Sequence, residues 1–261
     1  MNIISKVLNE KSQSQSCALI PFITAGYPDI DTTIKALYVM DREGADIIEL
    51  GIPYADALAD GSIIQESSKI ALEQGVYLEQ VFLILSNVYQ KLSSPIVIFT
   101  YYNPILVKGI ELFIKTIANL GVKGLLIPDL PIEEIDYILQ LCNLYEIELI
   151  LFIAPTSSQN RISYILSKSS GCIYLVSSTG VTGTRNSISS SIINLSKYIK
   201  TTTNKLIMIG FGISNPQQAL KISDWNVDGI VVGSAIIKAI SKDKSLESLA
   251  TFCESMKKAI S

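Results

Sequence analysis

The feature that most constrains the fold of this 261-residue chain is an alternation of short apolar runs with longer amphipathic segments, repeated eight times. The apolar runs are six or seven residues long, and most are rich in Ile, Val and Leu, which is typical of strands buried on both faces. They predict strands at residues 19–25, 46–51, 96–101, 124–129, 149–154, 172–177, 206–212 and 229–234.

The segments between these runs predict helices. Residues 30–43, for example, follow Asp29, a residue type that often starts helices, and end before Gly44. The second unit contains two helical segments, at residues 63–73 and 78–91, so we expect one extra helix there.

Strand–helix alternation of this kind indicates a parallel sheet with right-handed crossovers. Eight units in a chain of this length favour an α/β fold of the closed (β/α)8 TIM barrel type. The main alternative is an open doubly wound sheet, but the glycine-rich GxGxxG turn that such folds carry after their first strand is missing here. No change in composition and no Gly/Ser linker marks a boundary, so we expect a single domain over residues 1–261.

The composition argues against several classes of function. The net charge is −3 and there is no basic run, which is unlike a nucleic-acid-binding protein. The chain has no histidine and its four cysteines form no CxxC pair, so we expect no zinc site and reduced thiols in an intracellular protein. The first residues do not resemble a signal peptide, and no apolar segment is long enough to predict a membrane helix.

In a barrel of this type the active site lies where the strands end and the following loops begin. The second predicted strand carries Glu49 to that end, and side-chain alternation places Glu49 on the same face as Ile47, which would be the barrel interior. Burial should raise the pKa of Glu49 and suit it to proton transfer, which a chain without histidine must assign to another group.

The loop after Glu49 carries two more carboxylates, Asp56 and Asp60. Each of them could lie over the barrel mouth, or it could cap the helix that starts near Ser62. We favour the capping role for Asp56. For Asp60, the capping role and a position over the barrel mouth both remain open.

Glycines at the ends of the last two strands indicate a phosphate site. Gly212, Gly233 and Ser234 lie where barrels of this type often bind phosphate, and Gly183 from the preceding loop would complete the site. The alternative is that these glycines only form tight turns, but two glycine sites on adjacent strands favour phosphate binding. The polar loop at residues 180–191 is interpreted as a mobile lid, or alternatively as an unstructured connection.

The residue types that are missing argue against two classes of aldolase mechanism. No predicted strand contains the internal lysine that a Schiff-base aldolase needs, and a metal-dependent aldolase would need histidine ligands. Any carbon–carbon chemistry in this chain would therefore depend on general acids and bases.

Six motifs resemble those of the tryptophan synthase alpha chain family, in the family's order and over essentially the whole chain. They are Pro21-Phe-Ile-Thr-Ala-Gly-Tyr-Pro-Asp, Glu49-Leu-Gly-Ile-Pro-Tyr-x-Asp-x-Leu-Ala-Asp-Gly, Tyr101-Tyr-Asn-Pro, Gly180-Val-Thr-Gly, Gly210-Phe-Gly-Ile-Ser and Gly233-Ser-Ala. The second motif is highly specific. The chain departs from the family at Ala55, Ala57 and Ser62, where Ser, Pro and Pro are common.

The resemblance implies cleavage of indole-3-glycerol phosphate to indole and glyceraldehyde 3-phosphate. It implies that Glu49 is the general acid/base, that Asp60 engages the indole N–H, and that Thr182 bonds Asp60 when the lid closes. The other implied site residues are Phe22, Ile64, Tyr102 and Tyr174 around the indole with Asp129 nearby, and Gly183, Gly212, Gly233 and Ser234 around the phosphate.

The resemblance also implies a pyridoxal-phosphate-dependent beta chain as the partner in an α2β2 heterotetramer, whereas this chain itself is expected to bind no cofactor. Three alternatives stay open: a stand-alone lyase that releases free indole, another phosphate-binding barrel, and a non-catalytic barrel that activates a partner enzyme. The lack of histidine and of a strand lysine argues against the second, and the intact Glu49 and Asp60 argue against the third. We expect a cytoplasmic or plastid-stroma location.

Overall fold

The computed structural model describes residues 1–176, 185–210 and 212–261, with the backbone alone for residues 185–189. It contains eight strands: β1 (Ala18–Thr24), β2 (Ile48–Gly51), β3 (Ile96–Phe99), β4 (Val122–Leu126), β5 (Glu148–Ile153), β6 (Cys172–Val176), β7 (Leu206–Gly210) and β8 (Gly229–Val232). Each strand pairs in parallel with its neighbour in the chain, and β8 pairs with β1, so the sheet closes into a barrel. The predicted (β/α)8 fold is confirmed.

Each strand overlaps its predicted run, but the bounds differ because pairing ends where the chain turns away from the barrel. The largest shift is in β4, which was predicted at residues 124–129 and begins and ends earlier, at Val122 and Leu126. Residues 127–129 belong to the loop that follows. Residue 177, the predicted end of β6, lies outside the described residues.

Twelve α-helices are present in the described part of the chain. They are α1 (Ile3–Gln13), α2 (Ile30–Arg42), α3 (Ser62–Glu73), α4 (Leu78–Val88), α5 (Tyr102–Lys108), α6 (Ile110–Asn119), α7 (Ile135–Leu144), α8 (Gln159–Lys168), α9 (Arg185–Thr202), α10 (Pro216–Ser223), α11 (Ser234–Lys242) and α12 (Glu247–Ile260). The extra helix of the second unit is confirmed as α3. The third unit also contains two helices, because Gly109 has φ 90° and separates α5 from α6.

The core has two parts that follow from strand alternation. An outer layer packs between the strands and the helices, and it contains Ile48 and Leu50 of β2. An inner cluster fills the barrel and contains Ile47, which confirms that the face shared by Ile47 and Glu49 is the barrel interior. Each fully buried aliphatic side chain contributes roughly 1.5–3 kcal/mol to stability, so this pattern fixes which face of β2 points inward.

Helix α1 covers the end of the barrel where the strands begin. Ile4 and Leu8 of α1 are fully buried in the inner cluster. The backbone N–H of Ser5 donates to the buried Glu148 carboxylate at 3.0 Å, and the backbone N–H of Cys172 donates to the same carboxylate at 2.9 Å. With this end covered, the barrel interior is accessible from the end where the strands terminate.

Two sequence-based expectations concern features away from the barrel mouth. All four cysteines are buried free thiols. Within the described residues, we find no helix with both the length and the apolar character needed to cross a membrane.

Candidate active site

A cavity of about 240 Å³ opens at the end of the barrel where the strands terminate. Eight of the residues that line it were predicted from the sequence: Phe22, Glu49, Asp60, Ile64, Tyr174, Gly212, Gly233 and Ser234. The other lining residues are Gly61, Phe99, Ile213, Ser214 and Val231. The volume is somewhat below the roughly 300–1,000 Å³ that is usual for small-molecule sites.

Glu49 stands at the base of this cavity. It lies on β2 in register with Phe22 of β1 and Val97 of β3, and its side chain is 2% exposed. Within the described part of the chain, its buried Oε2 atom has no hydrogen-bond partner. Burial raises the pKa of Glu49 from 4.5 to about 8, and the nearby charge of Asp60 contributes to the increase. The carboxyl group is therefore protonated at neutral pH and can act as an acid.

Asp60 lies in the loop between β2 and α3 and faces the same cavity. Its Oδ2 atom accepts a hydrogen bond from the Tyr101 hydroxyl at 3.0 Å. Burial raises the pKa of Asp60 from 3.8 to about 6, although the Tyr101 hydrogen bond opposes the increase. Between pH 6 and 8, the cavity therefore contains a protonated Glu49 next to an ionised Asp60.

The capping roles considered for the loop carboxylates are wrong. Helix α3 begins after Gly61, and none of the hydrogen bonds among described residues joins Asp56 or Asp60 to its first N–H groups. Asp56 is instead exposed to solvent. The loop turns back toward the barrel before α3 starts, and this directs Asp60 into the cavity.

Tyr101 is a site residue that the sequence reasoning missed. Strand alternation would have found it, because Tyr101 follows Val97 and Phe99 at a spacing of two, and all three belong to the inner cluster. The predicted Tyr102 packs against the outer layer instead, and its backbone N–H donates to Asp129 Oδ1 at 2.8 Å. Tyr102 is therefore not among the described residues that line the cavity, which corrects its predicted placement. Asp129 was predicted only to lie nearby, and its charge does act on the Tyr101 hydroxyl.

Aromatic rings form the wall of the cavity beside Glu49. Phe22 and Phe99 pack edge to face with centroids 5.9 Å apart, and Phe99 contacts Phe152 in the same way at 6.3 Å. Tyr174 is 3% exposed and lies 5.0 Å from Phe152, measured between ring centroids. Burial, followed by the charges of Glu49 and Asp60, holds the pKa of Tyr174 well above its usual range.

Two glycines allow these rings to occupy their positions. A Cβ atom on Gly51 would lie 2.5 Å from the ring of Phe22, and a Cβ atom on Gly210 would lie still closer to the Tyr174 hydroxyl oxygen. Both distances are well below van der Waals contact. These two glycines therefore shape the aromatic wall of the cavity.

Another part of the cavity wall presents groups suited to an anion. Gly212, with φ 79°, and the first residue of α11, Ser234, both line the cavity. Helix N-termini carry unpaired N–H groups and a partial positive charge, and they bind phosphate readily. None of the described lining residues is Lys or Arg, so an anion here would rely on backbone N–H groups and hydroxyls.

Two predicted site residues belong to the segment after β6. Thr182 and Gly183 lie outside the described residues, as does the part of the proposed lid up to residue 184.

A larger cleft of about 530 Å³ lies at the other end of the barrel, beside Cys17, Val227 and Asp228. The Asp228 carboxylate there is already paired with Lys200 and with the N–H of Ile207, so that cleft lacks the buried unpaired acid of the barrel mouth.

The chain is similar to known proteins over almost its entire length. A sequence model of the tryptophan synthase alpha chain family matches residues 8–261. The tryptophan synthase alpha chain of Gracilaria tenuistipitata var. liui is 64% identical, over 100% of this chain and 97% of that protein. The tryptophan synthase alpha chain of Synechocystis sp. is 47% identical over 100% of both chains. The crystal structure of the tryptophan synthase alpha chain from Legionella pneumophila superposes with a TM-score of 0.88 at 29% identity, covering 100% of this chain and 97% of that chain.

The family match extends over almost the entire chain, and the relatives agree with it over their own full length. The fold, the carboxylates at the barrel mouth and the motifs that carry them all lie within the matched region. This chain therefore belongs to the tryptophan synthase alpha chain family and is a lyase that cleaves indole-3-glycerol phosphate in tryptophan biosynthesis.

Proposed function

We propose that Glu49 and Asp60 together perform the cleavage of indole-3-glycerol phosphate to indole and glyceraldehyde 3-phosphate. The observation that supports this most directly is the Glu49 carboxyl group, which is buried, lines the cavity and has an oxygen without a partner in the described part of the chain. An unpaired buried carboxylate oxygen is unfavourable for stability, so its presence in a cavity indicates a catalytic role.

Glu49 would act first as an acid and then as a base. Its proton passes to C3 of the indole ring, which leaves the ring nitrogen with a positive charge. The resulting Glu49 carboxylate then removes the proton from the glyceryl hydroxyl next to C3. The carbon–carbon bond breaks, its electron pair returns to the ring, and the hydroxyl carbon becomes the aldehyde. One proton is donated and one is taken up, so Glu49 ends as it began.

Asp60 would stabilise the charge that develops on the indole nitrogen. Its pKa of about 6 keeps it ionised at neutral pH, as this role requires. The two carboxyl groups share one cavity but carry different charges, because Glu49 is more deeply buried than Asp60. Opposite protonation states of this kind are typical of an acid and a charge-stabilising partner.

The cavity walls would hold the two ends of the substrate. Phe22, Ile64, Phe99 and Tyr174 provide an aromatic and apolar surface for the indole ring. Gly233 and Ser234 would bind the phosphate through the N-terminus of α11, and Gly212 would bind it from the loop after β7. We also propose that Gly183 completes the phosphate site and that Thr182 bonds Asp60 when the loop after β6 closes.

Replacing Glu49 with Gln tests this assignment. Gln has nearly the same shape but cannot deliver a proton, so Glu49→Gln should reduce indole release to near zero while inorganic phosphate still binds. Asp60→Asn should also reduce turnover strongly. Glu66→Gln, at an exposed position on α3, is the matched control and should retain wild-type turnover. Substantial indole release by Glu49→Gln would overturn the assignment.

Exposed apolar residues support assembly with a beta chain at the barrel mouth. Leu58, in the same loop as Asp60, is 90% exposed, and Leu106 and Val107 of α5 are 48% and 81% exposed. All three follow the carboxyl ends of β2 and β3. Apolar side chains exposed at one end of a molecule commonly mark a protein–protein interface. We infer that a beta chain docks over this end and that two chains of each kind form the heterotetramer.

Sedimentation with a purified beta chain tests the assembly. The wild-type chain should form the heterotetramer, and Leu58→Asp should weaken it. Leu83→Asp changes a residue on α4 that is also exposed and is the control. Measurement of indole release with and without the beta chain separates the subunit from a stand-alone lyase, since full activity of the isolated chain would contradict the subunit proposal.

The relatives support a location in a plastid stroma or a cytoplasm, because they come from red algae such as Gracilaria tenuistipitata and from cyanobacteria such as Synechocystis. Immunodetection after cell fractionation would test this, and recovery of the protein in a membrane or secreted fraction would contradict it.

A further inference from the structure

The loop that carries Asp60 has little packing of its own. Between residues 55 and 60, the side chain of Ala57 is buried in the inner cluster, whereas Asp56, Leu58 and Ala59 are exposed. Within the loop, the backbone N–H of Asp60 donates to the Ala57 carbonyl at 3.1 Å. A segment with so few buried contacts needs other interactions to hold one conformation.

The first such interaction is a hydroxyl bridge from the barrel. Tyr101 is 3% exposed, and its hydroxyl accepts a hydrogen bond from the N–H of Ala59 at 3.0 Å. The same hydroxyl donates to Asp60 Oδ2 at 3.0 Å. The ring of Tyr54 stacks on that of Tyr101, with centroids 5.0 Å apart. The bridge therefore starts from a rigid point and reaches both the backbone of the loop and its carboxylate.

The second interaction comes from helix α3. The side-chain amide of Gln65 donates to the carbonyl oxygens of Ala57 and Asp60, each at 3.0 Å. These carbonyls belong to the first and last residues of the segment 57–60. Together, Tyr101 and Gln65 bind three of the four residues of this segment, from the barrel side and from the helix side.

We propose that Tyr101 and Gln65 are positioning residues that hold segment 57–60 with the Asp60 carboxylate directed at the indole-binding end of the cavity. This inference rests on the proposed role of Asp60. The two residues act differently, since Tyr101 contacts the carboxylate itself, whereas Gln65 contacts only the backbone of the loop. Their replacement should therefore change different kinetic quantities.

Tyr101→Phe removes the hydroxyl and keeps the ring. We expect kcat to fall about 10- to 100-fold, as for the loss of a hydrogen bond to a charged group, with a smaller change in KM. The Tyr101 hydrogen bond lowers the pKa of Asp60, so its loss should move the acid limb of the kcat/KM pH profile to higher pH. Tyr54→Phe, on the stacked ring, is the matched control and should leave both quantities unchanged.

Gln65→Ala removes both bonds to the loop backbone. We expect kcat to fall about 3- to 10-fold, because two partly exposed neutral hydrogen bonds are lost. The acid limb should stay where it is in the wild type, because the Asp60 carboxylate keeps its bond to Tyr101. Glu66→Gln, on the next residue of α3, is the control.

Asp60→Asn, measured in the same assay, tests the proposed role of Asp60 separately from the positioning role of Tyr101 and Gln65. If Asp60→Asn retains wild-type turnover, the proposed role of Asp60 fails. If Asp60→Asn loses activity while Tyr101→Phe and Gln65→Ala keep wild-type kcat and an unshifted acid limb, the positioning inference fails. Loss of kcat in Tyr101→Phe without a shift of the acid limb would also overturn it, because a general loss of folded protein produces that result.

Discussion

Replacement of Glu49 by Gln should make the folded chain more stable at neutral and alkaline pH while it removes activity. The reason is the location of Glu49, which is 2% exposed and has an oxygen with no partner in the described part of the chain. A charge at this position is unfavourable, so the folded protein retains the proton. Gln has a similar shape and carries no charge at any pH, so the variant does not have to keep a buried carboxyl group protonated.

The magnitude follows from the pKa of Glu49. In the unfolded chain this group ionises around its ordinary pKa of 4.5, whereas in the folded chain burial keeps it protonated up to about 8. Since the folded-state pKa is the higher one, stability is greatest below pH 4.5 and falls as the pH rises to 8. At about 1.4 kcal/mol per pH unit, the destabilisation is about 3 kcal/mol at pH 7 and about 5 kcal/mol above pH 8.

Thermal unfolding followed by circular dichroism at pH 5, 7 and 9 measures this effect. The stability gained by Glu49→Gln over the wild type should increase by about 4 kcal/mol between pH 5 and pH 9. For a chain of this size, that corresponds to about 10 °C in Tm. The control variant Glu66→Gln should show no such dependence, because Glu66 is exposed. A Tm difference for Glu49→Gln that is the same at all three pH values would refute the reasoning.

Three further results are expected. The pH profile of kcat/KM should be bell-shaped, with its acid limb near pH 6 from Asp60 and its alkaline limb near pH 8 from Glu49; a profile that is flat between pH 5 and 9 would contradict both assignments. Gly210→Ala should lower kcat/KM at least about tenfold with the fold retained by circular dichroism, because the new Cβ would displace the Tyr174 ring, and normal turnover would argue against that contact. Ser5→Ala removes a hydroxyl donor from a buried carboxylate and should lower stability by about 1–3 kcal/mol in urea unfolding, so an unchanged unfolding midpoint would count against the covering role of α1.

Much of the architecture was predictable because it depends on local pattern. Apolar runs of strand length identify the eight strands, and the alternation within β2 places Glu49 on the inner face. The boundaries were less predictable, as β4 shows, because a strand ends where pairing with its neighbours ends. Gly109 was also missed as a helix break, since its effect depends on the φ of 90° that the chain adopts there.

The choice between adjacent residues depended on the tertiary structure. Tyr101 and Tyr102 are adjacent residues of the same type. Tyr101 faces the barrel interior and bonds Asp60, whereas Tyr102 packs outside the barrel. Asp56 and Asp60 likewise differ only in the direction that the loop gives them. Gln65 has no feature in the sequence that marks it, because its partners are backbone carbonyls brought close by the turn before α3.

The sequence by itself determined the barrel, the end of it that carries the site, and the absence of histidine that leaves proton transfer to carboxylates. These conclusions rest on periodicity and residue type, which act over a few neighbouring positions. A raised pKa of Glu49 was predicted, but only the tertiary structure decided that it exceeds the pKa of Asp60, so that Glu49 holds its proton while Asp60 remains ionised at neutral pH. Protonation depends on burial and on hydrogen-bond partners such as Tyr101, which is 41 residues from Asp60 along the chain and meets it through the closure of the barrel.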